Sequence, residues 1–200
     1  MLIRPARAED RPALYEVCLK TGASGQDASG IYDDPLLLGH IYVGPYLALQ
    51  PDLAFVLDDD GDALGYVLGA RDTAEFEREC DEHWWPTLRR RYADPPPGRS
   101  WTPDEQLSHL IHHPPRTDPA LLTEYPAHLH IDLLPSAGGA GYGRRLVSHL
   151  LDRLRDLSVS GVHLGVAADN ERAIGFYRHL GLQTLREQDD ALVLGTSLTS

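Results

Sequence analysis

The stretch from Tyr125 to Leu157 constrains the fold more than any other, because a strand pattern, a glycine-rich loop and an amphipathic helix follow one another without a break. His128, Leu129, His130, Ile131, Asp132 and Leu133 alternate polar with apolar, the period of a strand with one polar face. The loop Pro135-Ser136-Ala137-Gly138-Gly139-Ala140-Gly141-Tyr142-Gly143 follows, and from Arg144 onward Leu146, Leu150, Leu154 and Leu157 recur at helical spacing. Glycines let the backbone approach an anion closely, and a first helical turn offers unpaired N–H groups at the positive end of the helix dipole. A phosphorylated cofactor suits that arrangement. A P-loop does not, since no Lys-Ser or Lys-Thr follows the last glycine, and three residues after Gly141 stands Arg144 rather than the glycine of a dinucleotide fingerprint. A glycine-rich connection that only turns the chain is the plainer alternative.

The rest of the chain alternates strand and helix patterns. Leu2 to Arg7 reads as a strand, and Leu14, Val17 and Cys18 mark the helix after it. Residues 21–35, rich in Gly, Ser and Asp, read as a mobile loop and candidate substrate lid, whose Asp27, Asp33 and Asp34 could attract an ammonium group or simply face water. Apolar runs Leu53–Leu57 and Ala63–Ala70 flank Asp-Asp-Asp-Gly-Asp and predict a hairpin. Thr73 to Ala93 is helical in period with a kink expected at Pro86, and residues 94–119 hold seven of the 15 prolines around a short helix at Asp104–His112. Together they predict an excursion over about residues 73–124 from a single domain spanning 1–200. Val162, Leu164, Val166 and Ala168 predict a strand, Asn170 a helix cap, and Gly181 the stop of the helix carrying Ala173, Phe176, Tyr177 and Leu180. Strands at 182–188 and 191–198 close the chain.

Charge excludes one broad class of partner. Thirty acidic against 18 basic residues give a net charge of -12, and Lys20 is the sole lysine, so the basic stripe that nucleic acid requires is missing. Cationic partners such as amines are favoured instead. Cys18 and Cys80 lie far apart with no Cys-x-x-Cys or Cys/His spacing, which predicts a reduced, cytoplasmic protein with neither a disulfide framework nor a zinc cage. No apolar run approaches the ~20 residues of a membrane span.

The glycine loop is similar to the coenzyme-A loop of the GCN5-related N-acetyltransferases (GNAT), whose pattern is Gln/Arg-x-x-Gly-x-Gly/Ala. Asn170-Glu171-Arg172-Ala173-Ile174-Gly175-Phe176-Tyr177-Arg178-His179-Leu180-Gly181-Leu182 resembles the same family's Asn-x-x-Ala-x-x-Phe-Tyr-x-x-x-Gly-Phe segment. Gly141 and Gly143 take the family's two glycine places, while Gly138 stands where Gln or Arg is usual. Val43-Gly44-Pro45-Tyr46, Phe55-Val56-Leu57, Gly65-Tyr66-Val67-Leu68-Gly69, the Trp-containing helix and the strand ending at Asp132 resemble, more narrowly, the acetyltransferase-like C-terminal domain of O-GlcNAcase and its stand-alone bacterial relatives. The resemblance implies an α/β fold with a mixed, mostly antiparallel sheet flanked by helices, and acetyl transfer from acetyl-CoA to a primary amine, on a small molecule or a protein lysine, in a ternary complex. It implies cofactor contacts from Leu133, Leu134, Gly138, Gly139, Ala140, Gly141, Tyr142, Gly143, Arg144, Asn170 and Tyr177. The partner expected is thus an amine acceptor, with neither nucleic acid nor membrane, and a monomer or homodimer.

Tyr177 occupies the place at which the family's tyrosine protonates the leaving thiolate, a role open to a phenol near pKa 10, although Phe176 and Tyr177 also fit as packing aromatics. Asp132 is the candidate base or amine-orienting carboxylate, because alternation places it on one strand face with His128 and His130, where a neutral imidazole could accept the ammonium proton. Two other readings compete. His130-x-Asp132 is also half of a two-His, one-carboxylate iron site awaiting His149, His163 or His179, and His112-His113 reads as surface. Trp84, Trp85 and Trp101 read as core or lid packing. A non-catalytic module that binds peptide or protein through the same fold is the alternative function.

Overall fold

In a computed structural model that describes residues 1–199, the alternating segments join one seven-stranded sheet. Its strands are β1 (Leu2–Pro5), β2 (Ala54–Asp59), β3 (Asp62–Ala70), β4 (Ala127–Leu133), β5 (Gly161–Ala167), β6 (Gln183–Glu187) and β7 (Ala191–Ser197). They lie in the order β1-β2-β3-β4-β5-β7-β6, antiparallel except for the β4–β5 pair. The predicted β2–β3 hairpin forms at Asp60 and Gly61, whose φ values of 52° and 102° give the positive pair that a tight turn between twisted strands requires. β1 is shorter than predicted and ends at Pro5, where Arg4 bonds both Asp58 and Asp10 at 2.7 Å. The guanidinium holds the Asp10 carboxyl below its usual range.

Helices α1 (Arg11–Thr21), α2 (Leu37–Tyr42) and α3 (Gly44–Leu49) cover one face of the sheet, with Leu14, Val17, Tyr66 and Leu68 buried between the layers. Between β3 and β4 the chain leaves the sheet through α4 (Thr73–Glu79), α5 (Trp85–Arg91), α6 (Pro103–His112) and α7 (Pro119–Leu122). The expected kink before Pro86 is a π-helical turn over Cys80–Trp84, in which the Trp85 N–H reaches back five residues to the Cys80 carbonyl. Proline has no N–H to continue the regular ladder, so the wider turn absorbs the mismatch. The 15-residue α8 (Tyr142–Asp156) and the shorter α9 (Glu171–His179) cover the opposite face. There Leu146, Leu150 and Leu154 are fully buried against Val67 and Leu129, each contributing roughly 1.5–3 kcal/mol of burial.

One irregularity positions the site. β4 and β5 pair only at Ala127↔Val162 and His128↔His163, although β4 runs on to Leu133 and β5 to Ala167. Beyond His128 the two strands part, and a cleft opens through the middle of the sheet.

Candidate active site

The far end of β4 forms one wall of this cleft. Leu134 donates its N–H to Leu64 O on β3 at 2.9 Å. In an antiparallel ladder successive N–H groups point to opposite edges, so the N–H of Leu133, paired with Gly65, points away from β3 and into the cleft. Gly65 permits this close approach, since a Cβ there would lie 2.7 Å from Asp132 O. Because the Leu134 N–H is already consumed by β3, only the Leu133 amide of the two remains available to a ligand.

Register places Tyr66 opposite Asp132 and Leu68 opposite His130, all on the α1 face. The fully buried Tyr66 donates its hydroxyl proton to Asp132 Oδ2, and burial together with that carboxylate pushes the phenol well above its ordinary pKa. His130 Nε2 lies 3.1 Å from the same oxygen. That nitrogen is sealed from solvent and out of alignment for a hydrogen bond, while the side chain as a whole keeps a third of its surface (33%) exposed. Tyr42 of α2 stacks over the ring with centroids 5.7 Å apart, and Cys18 of α1 completes the cluster from beneath. Burial opposes a charge on His130, but Asp132 outweighs it and raises the imidazole to about 10. Asp132 thus favours the protonated ring over the neutral imidazole that would accept an ammonium proton. His128 differs: bonded to Tyr46 Oη and Thr73 Oγ1, both at 2.8 Å, it is pushed down to about 3 by burial and stays neutral.

A pH dependence of stability follows. A histidine whose folded pKa is raised stabilises fully below its unfolded value near 6.5 and loses that contribution as pH rises through the folded value, here about 10. The urea midpoint is expected to decline between about pH 6.5 and 10, and His130→Gln to remove part of that decline. An identical slope in the variant would show that the pair contributes nothing.

The glycine loop is built for close backbone approach. Gly139 and Gly141 adopt φ values of 83° and 75°, and Gly141 serves as a left-handed N-cap with no side-chain bond to the helix. α8 thus starts at Tyr142, two residues earlier than its leucine pattern suggests. The first backbone bond into the helix is Arg145 N–H to Gly141 O. Before it, the N–H groups from Gly139 to Arg144 have no protein acceptor among the described residues. Gly138 instead donates to Pro135 O at 3.0 Å, which removes it from that row. A Cβ on Gly143 would stand 3.2 Å from the Phe176 ring, so this glycine seats α9 against α8. A cradle of free amides at a helix N-terminus fits a diphosphate.

α9 carries Tyr177 on the α8 side of the sheet. Its side chain is 9% exposed among Ile174, Leu182 and Leu164 of the second core, and burial, then the Asp132 charge, raises its pKa. Asn170 caps α9, its Oδ1 accepting the Ala173 N–H at 3.0 Å, so the capping reading describes that oxygen.

Other expectations do not converge here. His149 packs on Phe55, His163 bonds Tyr125 O, and neither joins His130 and Asp132; among the described residues the third metal-ligating group at that pair is Cys18. The expected lid is pinned: Asp33 and Asp34 donate their N–H groups to the Asp104 carboxylate, and Asp34 accepts from Tyr92 Oη at 2.7 Å. Trp85 is core, whereas Trp84 donates to His40 O at 2.8 Å and Trp101 lies tilted against His109.

Sequence reasoning missed Tyr66, Tyr42 and Cys18 as neighbours of Asp132. Tyr66 sits in a strand where an aromatic signals packing, and only the β3–β4 register shows what its hydroxyl meets.

The split between β4 and β5 lies beside the free amides that begin α8, with the half-buried Asp132 on β4 and the buried Tyr177 on α9. The acetyltransferase (GNAT) family model matches residues 31–182, and the chain belongs to that family. Its class is that of acetyl-CoA-dependent N-acetyltransferases. The protein called SsHAT superposes with a TM-score of 0.93 at 39% identity, over 100% of this chain and 98% of that one. Protein O-GlcNAcase of Rattus norvegicus is 26% identical over 98% of this chain, which spans only 22% of that relative's length. PaiA N-acetyltransferase from Thermoplasma acidophilum, solved with coenzyme A, shares the fold at a TM-score of 0.57 and 14% identity, over 98% of each chain. Among the described residues no helix is long and apolar enough to cross a membrane.

Proposed function

We propose that this protein transfers the acetyl group of acetyl-CoA directly to a primary amine, with donor and acceptor bound together in the β4–β5 cleft. The observation that carries the reading is the parting of β4 and β5 beyond His128, which leaves the Leu133 N–H facing the gap beside the free amides of α8. Bound acetyl-CoA supplies an activated thioester. The amides from Gly139 to Arg144 hold its diphosphate, and the carboxamide Nδ2 of Asn170, whose oxygen is used as a cap, is left for a polar contact.

The Leu133 N–H is aimed where the thioester oxygen gains charge, and a preorganised donor of this kind acts more strongly in the transition state than in the ground state. Asp132, fixed by Tyr66 and charge-balanced by His130, orients the amine and accepts its proton. Tyr177 keeps its own proton across the neutral range and offers it to the departing sulfur. The acid and base come from opposite layers of the sheet, Asp132 from the α1 side and Tyr177 from the α8 side.

Titration calorimetry with acetyl-CoA, followed by a panel of small amines and lysine peptides with thiol detection, tests the reading. Binding at about micromolar Kd or tighter, with thiol release that depends on an amine, is expected. An absence of binding at millimolar acetyl-CoA overturns it, and binding without release for any amine would favour a cofactor-holding module.

A further inference from the structure

Far from the cleft, two histidines and a carboxylate meet on the excursion between β3 and β4. His109, on the last turn of α6, and His113, its C-cap, are four residues apart and so lie on one face. The chain leaving α5 passes across that face and presents Asp94. His109 Nδ1 is 2.9 Å from Asp94 Oδ1, and His113 Nε2 is 2.7 Å from Asp94 Oδ2. The imidazole centroids stand 4.3 Å apart, and the three candidate ligand atoms all fall within 4.8 Å of one another. His112, between them in sequence, is turned elsewhere, its Nε2 lying 2.7 Å from Tyr92 O.

We propose that Asp94, His109 and His113 form a binding site for one divalent transition-metal ion, zinc by ligand type. Two imidazoles spaced His-x3-His with one carboxylate are an established donor combination for zinc, which binds such atoms at about 2.0–2.2 Å. The side chains are 35%, 38% and 56% exposed for His109, Asp94 and His113, so an ion has a path in and water can complete its coordination. Binding requires the N–H now directed at Asp94 on each ring to move to the other ring nitrogen or to solvent. Trp101 supports the arrangement, with its ring 4.5 Å from that of His109 and its Nε1–H donating to Pro96 O at 2.9 Å. The ion would clamp the proline-rich segment onto α6. The same helix carries Asp104, which holds the backbone of Asp33 and Asp34, so the clamp also supports the segment leading into α2. The site is independent of the acetyl-transfer reading.

Chelator-treated, tag-free protein titrated with zinc chloride tests the proposal. One ion per chain at about micromolar Kd is expected, together with a rise in Tm of roughly 5 °C at a hundredfold excess over Kd. Asp94→Asn, His109→Ala and His113→Ala should each weaken binding at least about tenfold, and Cys18→Ala should leave it unchanged. In the unmutated protein, paramagnetic cobalt(II) should selectively broaden the ring signals of His109 and His113, a readout that needs no variant. No binding up to about 1 mM zinc, cobalt broadening confined to His130, or affinity lost with Cys18 instead would each overturn the site and leave Asp94 as a hydrogen-bond acceptor alone.

Discussion

Asp132→Asn is expected to lower kcat by about 10²–10⁴-fold with little change in acetyl-CoA affinity, the range of a positioned proton acceptor. The asparagine has nearly the same shape and still accepts the Tyr66 hydroxyl, so packing between β3 and β4 should survive. What disappears is the negative charge. His130 then loses the partner that holds it near 10, and burial, the largest single cause, shifts the imidazole downward. The variant therefore has two independent readouts, turnover and the NMR titration of a single imidazole. Turnover within about twofold of the unmutated enzyme would remove Asp132 from the mechanism. A His130 titration that stays alkaline would show that another group sustains the imidazolium.

Tyr177→Phe should reduce kcat by about 10- to 1,000-fold and leave acetyl-CoA binding within a factor of about two, because the ring stays and only the hydroxyl leaves. Tyr177 packs on the α8 side of the sheet with Ile174 and Leu182, so the isosteric ring preserves that core. The two substitutions should also differ with the leaving group. Loss of a proton donor is partly relieved by a thioester with a more acidic thiol, whereas loss of Asp132 is not. Equal turnover in Tyr177→Phe, or an equal response of both variants to the leaving group, would count against separate acid and base roles.

Much of the architecture was readable from local pattern. Strict alternation located β4, the spacing of Leu146, Leu150 and Leu154 located α8, and Asp-Gly located the hairpin turn, each because backbone geometry sets the period at which side chains reach the core. The glycine loop and the Asn170–Leu182 segment were legible as well, since a helix start with free amides is made by contiguous residues. Misreadings fell where distant parts of the chain meet. The acidic loop at 21–35 looked free, and it is held by Asp104 and Tyr92, roughly seventy and sixty residues onward.

Sequence alone determined the succession of strands and helices, the glycine turn that begins α8 and which residues share a strand face, because these depend on neighbours in the chain. Tertiary structure decided the parting of β4 from β5, the placing of Asp132 beside His130 and the meeting of Asp94 with His109 and His113. Electrostatic energy depends on distance through space and on exclusion of water, and neither is written in residue order.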